Sequence, residues 1–417
     1  MRSLYTLLLW LMLPFVFVRL VLRARRQPEY LQHIGERFGF YPVRSDKPVI
    51  WLHAVSVGET RATVSLIARL RAAYPDHQLL LTHTTPTGRA TGEQLYGDTV
   101  LRAYLPYDYP FAVRRFLRQF RPKLGILMET EIWFNLIHEA HVAGVPVLLL
   151  NARLSEKSAK GYGRFASLTR NALHNLAAIA AQTPDDAARL IELGAAHVSV
   201  MGNLKFDIVP PLAMLERGNS LRRQFGAVRK IFLAASTREG EEALLLDAHQ
   251  ELGGDALLVI VPRHPQRFDE IADILGKRGL RYQRRSESRG VSADIQVVLG
   301  DSMGEMFAYY AACDLAYIGG SLLPFGGQNL IEACSVGTPV LIGPHTFNFA
   351  DASRLAVEAG AAVRVTDATE LLREAQVLLN DADARARMRK QSLTFVAAHQ
   401  GATDKAMAVI RRFLPLR

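Results

Sequence analysis

The sequence predicts an α/β protein in which two doubly wound parallel sheets, each covered by helices, follow an N-terminal apolar helix. Three observations carry that prediction. From about Pro48, short β-branched or leucine-rich runs alternate with longer segments of helical spacing, the pattern of strands buried on both faces of a parallel sheet. The alternation pauses after Phe206 and resumes at Lys230, which makes two series and hence two domains. A chain of 417 residues also exceeds one ordinary core and suits two domains of roughly 200 residues each.

The N-terminal element comes first. Leu4 to Val18 is almost wholly apolar, Arg19 intervenes, Leu20 to Leu22 follow, and then come Arg23, Arg25 and Arg26. A secretory signal has its basic residues first and a small-residue cleavage site after the apolar run; here the order is reversed. A span needs about 20 apolar residues, so Arg19 shortens this one unless its side chain snorkels. Residues 1–26 are therefore read as a retained anchor, either a marginal span or a helix lying in the interface. Its arginines would meet anionic headgroups on the cytoplasmic side. A buried helix capping the domain is the alternative; Trp10 and the basic flank favour the membrane.

The first series of strands is 49–55, 78–84, 124–129, 145–151 and 177–183, with helices between them such as Arg61 to Ala73 and Phe111 to Phe120. The second is 230–237, 256–263, 295–300, 315–320 and 339–343. The expected organisation is a first domain over 27–206, a linker over 207–219 marked by Pro210 and Pro211, and a second domain over 220–417 whose last helix is free to pack back on the first. In open parallel sheets ligands bind beyond the carboxyl ends of the strands, and two such sheets facing each other make a cleft for a donor and an acceptor.

Composition narrows the function. Apolar residues at 49% and charged residues at 22% exclude a disordered chain. Fifty Lys and Arg against 40 Asp and Glu leave a formal charge of +10, which suits an anionic partner. Cys313 and Cys334 are the only cysteines, too few for a disulfide scaffold or a thiolate metal site, so a reducing compartment is expected. Asp381 and Asp383 read as a helix cap, and His53, His83, His264 and His345 lack ligand spacing, so no metal is expected.

The informative residues fall just after strands. His53-Ala-Val-Ser56-Val-Gly58-Glu59-Thr60 leads from the first strand into a helix, where the dipole keeps a first-turn carboxylate anionic. Taken alone, Glu59 as a plain helix-start charge is the simpler reading. Met128-Glu129-Thr130-Glu131-Ile132-Trp133 sets two carboxylates beside a tryptophan, a costly arrangement unless they are paired or used. Asn151-Ala-Arg153 and Asn203-Leu-Lys205 end later strands, and Lys205 offers a fixed positive charge. In the second half, Ser236-Thr237-Arg238, Val261-Pro262-Arg263-His264-Pro265, Gly300-Asp301-Ser302-Met303-Gly304-Glu305 and Gly319-Gly320 through Gly326-Gly327-Gln328-Asn329 to Glu332 are turns suited to anions or to close backbone approach. Each is weak alone, since most strand-to-helix turns favour glycine.

Taken together and in this order, WLHAVSVGE, METEIW, NARLS, NLKFD, VPRHP, GDSMGE, GGQN-LIEA and GPHTFNF resemble the 3-deoxy-D-manno-octulosonic acid (Kdo) transferases of lipopolysaccharide assembly. The resemblance implies a GT-B glycosyltransferase of two Rossmann-like domains, acceptor-binding first and CMP-sugar-binding second. It implies CMP-Kdo as donor, the tetraacyl disaccharide bisphosphate precursor of lipid A (lipid IVA) as acceptor, and the inner membrane as location, with the catalytic domains on its cytoplasmic side. No cofactor, metal or nucleic acid is implied. Position by position, Glu59 would be the general base of an inverting displacement, and Glu129 and Lys205 would stabilise transition-state charge. CMP would contact Arg263, His264, Met303, Gly304, Glu305, Asn329, Leu330, Ile331 and Glu332. Two positions depart from the family pattern: Phe134 and Leu330 stand where it has proline.

Two rivals remain. A sugar-nucleotide epimerase uses the same fold, but a soluble substrate needs no anchor. A tethered nucleotide-sugar-binding protein without turnover has no use for Glu59, Glu129 and Lys205 together. Nucleic-acid binding ranks last, because the basic residues are dispersed.

Overall fold

The computed structural model describes residues 1–25, 27–253 and 255–416. Arg26 of the anchor's basic cluster lies outside the described residues. The chain divides into two compact units, Met1–Asp207 with Gln400–Arg417, and Ile208–His399.

The first unit is built on seven strands: β1 (Val49–His53), β2 (Gln78–His83), β3 (Leu101–Tyr104), β4 (Pro122–Met128), β5 (Val147–Ala152), β6 (Ala178–Ala181) and β7 (Val198–Val200). They form one parallel sheet in the order β3-β2-β1-β4-β5-β6-β7. Strand order reverses between β1 and β4, so a crevice opens beyond their carboxyl ends. The central strands pack on both faces: Ile50 and Leu52 join one core layer, while Val49 and Trp51 join the other. Trp51 pairs in register with Gly125 of β4. A Cβ there would stand 2.8 Å from the indole, so glycine is what lets the ring lie across the sheet.

The second unit repeats the plan with β8 (Lys230–Thr237), β9 (Ala256–Pro262), β10 (Tyr282–Arg284), β11 (Val297–Leu299), β12 (Leu315–Ile318), β13 (Val340–Ile342) and β14 (Ala362–Arg364). Its parallel order is β10-β11-β9-β8-β12-β13-β14, with the reversal between β8 and β12.

Two expectations about boundaries are corrected. The stretch 207–219 is not a linker throughout, because a helix runs over Leu212–Phe225. Pro210 and Pro211 precede that helix, and Gly218, Leu221 and Phe225 line its buried face at helical spacing. The helix expected over Arg61 to Ala73 is two, Val57–Ala62 and Val64–Ala73, and at the junction the Thr63 hydroxyl donates to Thr60 O at 2.7 Å.

The last helix, Ala402–Phe413, belongs to the first unit, where Ala406, Met407 and Ile410 join the core layer of Ile67 and Leu70. Asp207 fixes its start by accepting from Gly401 N–H at 2.7 Å and from Thr403 N–H. Asp381 caps a helix, accepting from Ala384 N–H at 2.8 Å.

At the other terminus, Arg2–Ala24 is a 23-residue helix with a mean hydropathy of 2.1 in its most apolar window. Among the described residues it alone is long and apolar enough to cross a membrane.

Candidate active site

The loops after β1 and β4 flank the crevice of the first sheet. Ser56 caps the helix Val57–Ala62 and accepts from Glu59 N–H at 3.3 Å. The Glu59 carboxylate reaches back, taking a hydrogen bond from Ser56 Oγ at 2.9 Å and from Val55 N–H at 2.8 Å. Glu59 thus does serve the helix start, and it does so within the field of other acids. Burial pushes its carboxyl above the usual range; the Val55 and Ser56 hydrogen bonds oppose this, and the charges of Glu129 and Glu131 add to it.

Glu129 leaves β4 in a left-handed conformation with φ 57°. Its N–H donates to Leu150 O at 3.1 Å, and Arg153 N–H donates to its carbonyl at 3.4 Å, so the turn is held from β5. Asn151, at φ 54°, is likewise left-handed. Backbone strain of this kind costs about 1–3 kcal/mol per residue and gathers at functional sites. Asn151 Oδ1 accepts from Leu204 N–H at 3.0 Å, and Asn203 Oδ1 from Lys205 N–H at 3.0 Å. Gln182 joins the two asparagines, donating to Asn151 O and accepting from Asn203 Nδ2, both at 3.0 Å. This network carries Lys205 Nζ to 3.7 Å from Glu129 Oε1. Glu59, Glu129 and Lys205, distant in sequence, are therefore brought to one end of one sheet.

Glu131 faces inward as well. It lies 3.6 Å from Nε2 of the fully buried His53 and accepts from Trp133 Nε1. Burial raises its carboxyl, but the His53 contact and charge and the Trp133 indole outweigh that and leave it below the usual range. His53 Nδ1 is engaged with Thr82 at 3.0 Å.

In the second unit the predicted residues also follow strand ends. Arg263 leaves β9 with its N–H donating to Thr237 O at 3.0 Å. Burial, then the positive charges of Arg238 and Arg263, push the His264 ring below the usual imidazole range. Asn329 caps the helix Leu330–Ser335, accepting from Ile331 N–H at 3.0 Å and donating to Glu332 Oε1 at 3.1 Å. The buried Tyr310 hydroxyl feels the charges of both Glu332 and Arg263. Arg238 and Arg263 supply positive charge and the neutral His264 ring a donor beside them, a set suited to a phosphate.

Other predicted contacts are constrained by the fold. Leu330 and Ile331 are 1% and 0% exposed, so their side chains belong to the core and only backbone groups are offered. Glu305 pairs with Arg217 and Arg285 and accepts from Ser302 Oγ. Met303 is exposed, and Gly304, at φ 78°, has open space where a Cβ would stand.

The comparisons with known proteins bear on this arrangement. Residues 32–208 match the family model described as 3-deoxy-D-manno-octulosonic-acid transferase (kdotransferase), and residues 237–394 match glycosyl transferases group 1. A 3-deoxy-D-manno-octulosonic acid transferase of Bordetella pertussis is 44% identical over 99% of both chains, and that of Haemophilus influenzae is 36% identical over 99% of both. The chain belongs to the Kdo transferases. It is accordingly a glycosyltransferase with two Rossmann-like units of the GT-B class. A solved glycosyltransferase from Rickettsia africae (TM-score 0.58, 13% identity, 89% of this chain and 100% of that one) shares the fold. So does a UDP-GlcNAc 2-epimerase from Neisseria meningitidis (TM-score 0.59, 16% identity, 88% and 100%). The fold is thus common to transferases and epimerases, and sequence kinship decides for the transferase.

The two departures from the Kdo transferase pattern have local accounts. Phe134 begins the helix Phe134–Val142 and sets its ring edge-on to Tyr5, 5.1 Å between centroids. Leu330 fills core. Two surface hollows of about 710 and 770 Å³ line the helix Pro110–Phe120 and contain none of the predicted residues; the converging charged groups at the strand ends are the better guide to chemistry. Glu241, at the start of the helix that follows β8, is not singled out by the sequence. It is 0% exposed and takes hydrogen bonds from Tyr317 Oη, Gly320 N–H and Leu322 N–H at 2.7, 2.6 and 3.0 Å. It therefore shapes the glycine turn, and the only sequence signal was an acid at a helix start.

Proposed function

We propose that this Kdo transferase moves Kdo from CMP-Kdo to lipid IVA at the cytoplasmic face of the inner membrane, with inversion at the anomeric carbon. The observation that carries the mechanism is the Glu59 carboxylate, fixed by Ser56 and Val55 and made more basic by burial beside Glu129 and Glu131. Glu59 accepts the proton of the acceptor hydroxyl as its oxygen bonds the anomeric carbon. The bond from that carbon to the CMP phosphate breaks, and its electron pair leaves with the phosphate. General-base assistance of this kind is worth about 10²–10⁴ in rate.

Positive charge grows on the sugar as the bond breaks. Glu129, paired with Lys205 at 3.7 Å, suits that charge, and Lys205 suits the departing anion. In the second unit Arg238, Arg263 and His264 supply donors for the phosphate, and Asn329 with Glu332 supplies polar groups for the nucleoside. The kinship with Kdo transferases supports the donor, while the N-terminal helix and the +10 charge support a membrane-held acid lipid as acceptor.

The test incubates purified protein with CMP-Kdo and lipid IVA, followed by mass spectrometry of the lipid and NMR of the new linkage. A Kdo-bearing lipid of inverted configuration, lost in Glu59→Gln, supports the reading. Retained configuration, or full activity in Glu59→Gln, overturns it.

A further inference from the structure

The N-terminal helix is more than a tether, because the first unit grips it along its whole length. The positions turned inward run from Arg2 through Tyr5, Leu9, Leu13 and Val16 to Leu20 and Ala24, a continuous stripe at helical spacing. Polar contacts hold its first half. Tyr5 Oη donates to Asp108 at 2.9 Å, Thr6 Oγ1 to Asn135 Oδ1 at 3.1 Å, and Tyr109 Oη to Leu9 O at 2.8 Å. Arg2 lies 3.5 Å from Glu139. The second half is held by Phe17 stacked on Phe38, 5.3 Å between centroids, and by Leu20 and Ala24 at 5% and 8% exposure.

Asp108 is the hub of this contact. It is 5% exposed, and besides Tyr5 it accepts from Asn135 N–H at 3.0 Å and Leu136 N–H at 2.7 Å, at the start of the helix that follows Trp133. A helix of 23 residues is about 35 Å long. If it crossed a hydrocarbon core about 30 Å thick, either it would leave these partners or Asp108, Asn135 and Glu139 would enter lipid with it, which is costly.

The outer face has the opposite character. Leu4, Leu7, Leu11, Met12, Phe15 and Leu22 are each at least 50% exposed. Cations border it: Arg19 and Arg23 on the helix and Arg25 just after it are exposed, as are Arg114 and Arg118 on Pro110–Phe120, whose Phe111 stacks on Trp10 at 5.4 Å. An apolar ridge with a basic border matches one leaflet and its anionic headgroups.

We propose that the helix lies flat along a single anionic leaflet, docked on the first unit, and does not cross the bilayer. This deepens the membrane reading above and rests on it. Through Asp108, the depth of the leaflet surface is set relative to the loop that carries Glu129, Glu131 and Trp133.

Two measurements on the full chain test this. The first is flotation with vesicles of phosphatidylethanolamine and phosphatidylglycerol against vesicles of phosphatidylcholine. Flotation with the anionic vesicles is expected; its absence removes the membrane reading itself. The second oxidises the Thr6→Cys/Asn135→Cys double variant in native membranes and labels Ser3→Cys with a membrane-impermeant maleimide, the parent protein giving the background of Cys313 and Cys334. An intramolecular disulfide, with Ser3→Cys closed to reagent from the periplasmic side, is expected. Flotation together with periplasmic labelling, with a disulfide that forms in detergent but not in membranes, or with one that joins two copies overturns the flat docking alone.

Discussion

Lys205 Nζ stands 3.7 Å from Glu129 Oε1, although one follows the edge strand β7 and the other leaves the central strand β4 in a strained conformation. Each charge keeps the other in place, so they should act as a unit. Glu129→Gln and Lys205→Met should each lower kcat/KM by about 10²-fold, the range for losing one electrostatic stabiliser. The double variant should be little worse than either single one. Losses that multiply in the steady-state assay would show two independent roles.

The pH profile should carry the signature of Glu59. Its carboxyl is raised above 4.5, so activity should fall as pH drops through that raised value, and the acid limb of kcat/KM should lie above the ordinary carboxylate range. Glu129→Gln, whatever its rate, should move that limb downward by removing a neighbouring negative charge. The stability sign is opposite. Between 4.5 and the raised value the folded protein binds more protons than the unfolded chain, so stability falls as pH rises through that window. Glu59→Gln should therefore melt higher near pH 7 while losing turnover, a combination read by calorimetry and assay on one sample.

Ser56→Ala removes a helix cap and a hydrogen bond to the base together. It should cost about 1 kcal/mol of stability and shift the acid limb upward, since that bond holds the Glu59 carboxyl down. Ser56→Thr keeps an oxygen there and should restore the limb. An unchanged limb in Ser56→Ala would detach Ser56 from the base.

Gly319→Ala should loosen the second unit. The new Cβ would stand 2.5 Å from Ser236 O and 2.6 Å from Thr237 Cα, both backbone atoms, so the β8 and β12 exits must part at a cost of about 1–3 kcal/mol. CMP affinity, followed by calorimetry, should fall with the melting temperature. Gly161→Ala is the contrast: that glycine is helical with nothing within 4 Å of the added carbon, and the change should stabilise by roughly 0.5–1 kcal/mol.

All ten strands expected from apolar runs are present, and the four not expected, β3, β7, β10 and β14, are the four sheet edges. An edge strand has one neighbour and is only partly covered, so Arg102, Ser199, Gln283 and Arg364 interrupt what would otherwise be an apolar run. The placement of Glu59 and Glu129 at one end of the sheet is legible because a parallel sheet delivers every strand exit to one edge. What stayed hidden is which charges the protein uses on itself. Glu305 is engaged by Arg217 and Arg285, and Glu241 by a turn some eighty residues away; neither partnership leaves a local pattern. Proline pairs also signal a helix start as readily as a linker, so Pro210 and Pro211 alone do not distinguish the helix Leu212–Phe225 from a linker.

Asp207 closes the first unit by holding the start of the chain's final helix, whose Met407 and Ile410 cover one side of the first sheet. On the ribosome, the half that emerges first is therefore the half completed last. Until residue 413 has cleared the exit tunnel, a nascent sheet face beside Ile67 and Leu70 stays uncovered, so a chain stopped before Ala402 should be a product that chaperones or proteases recognise.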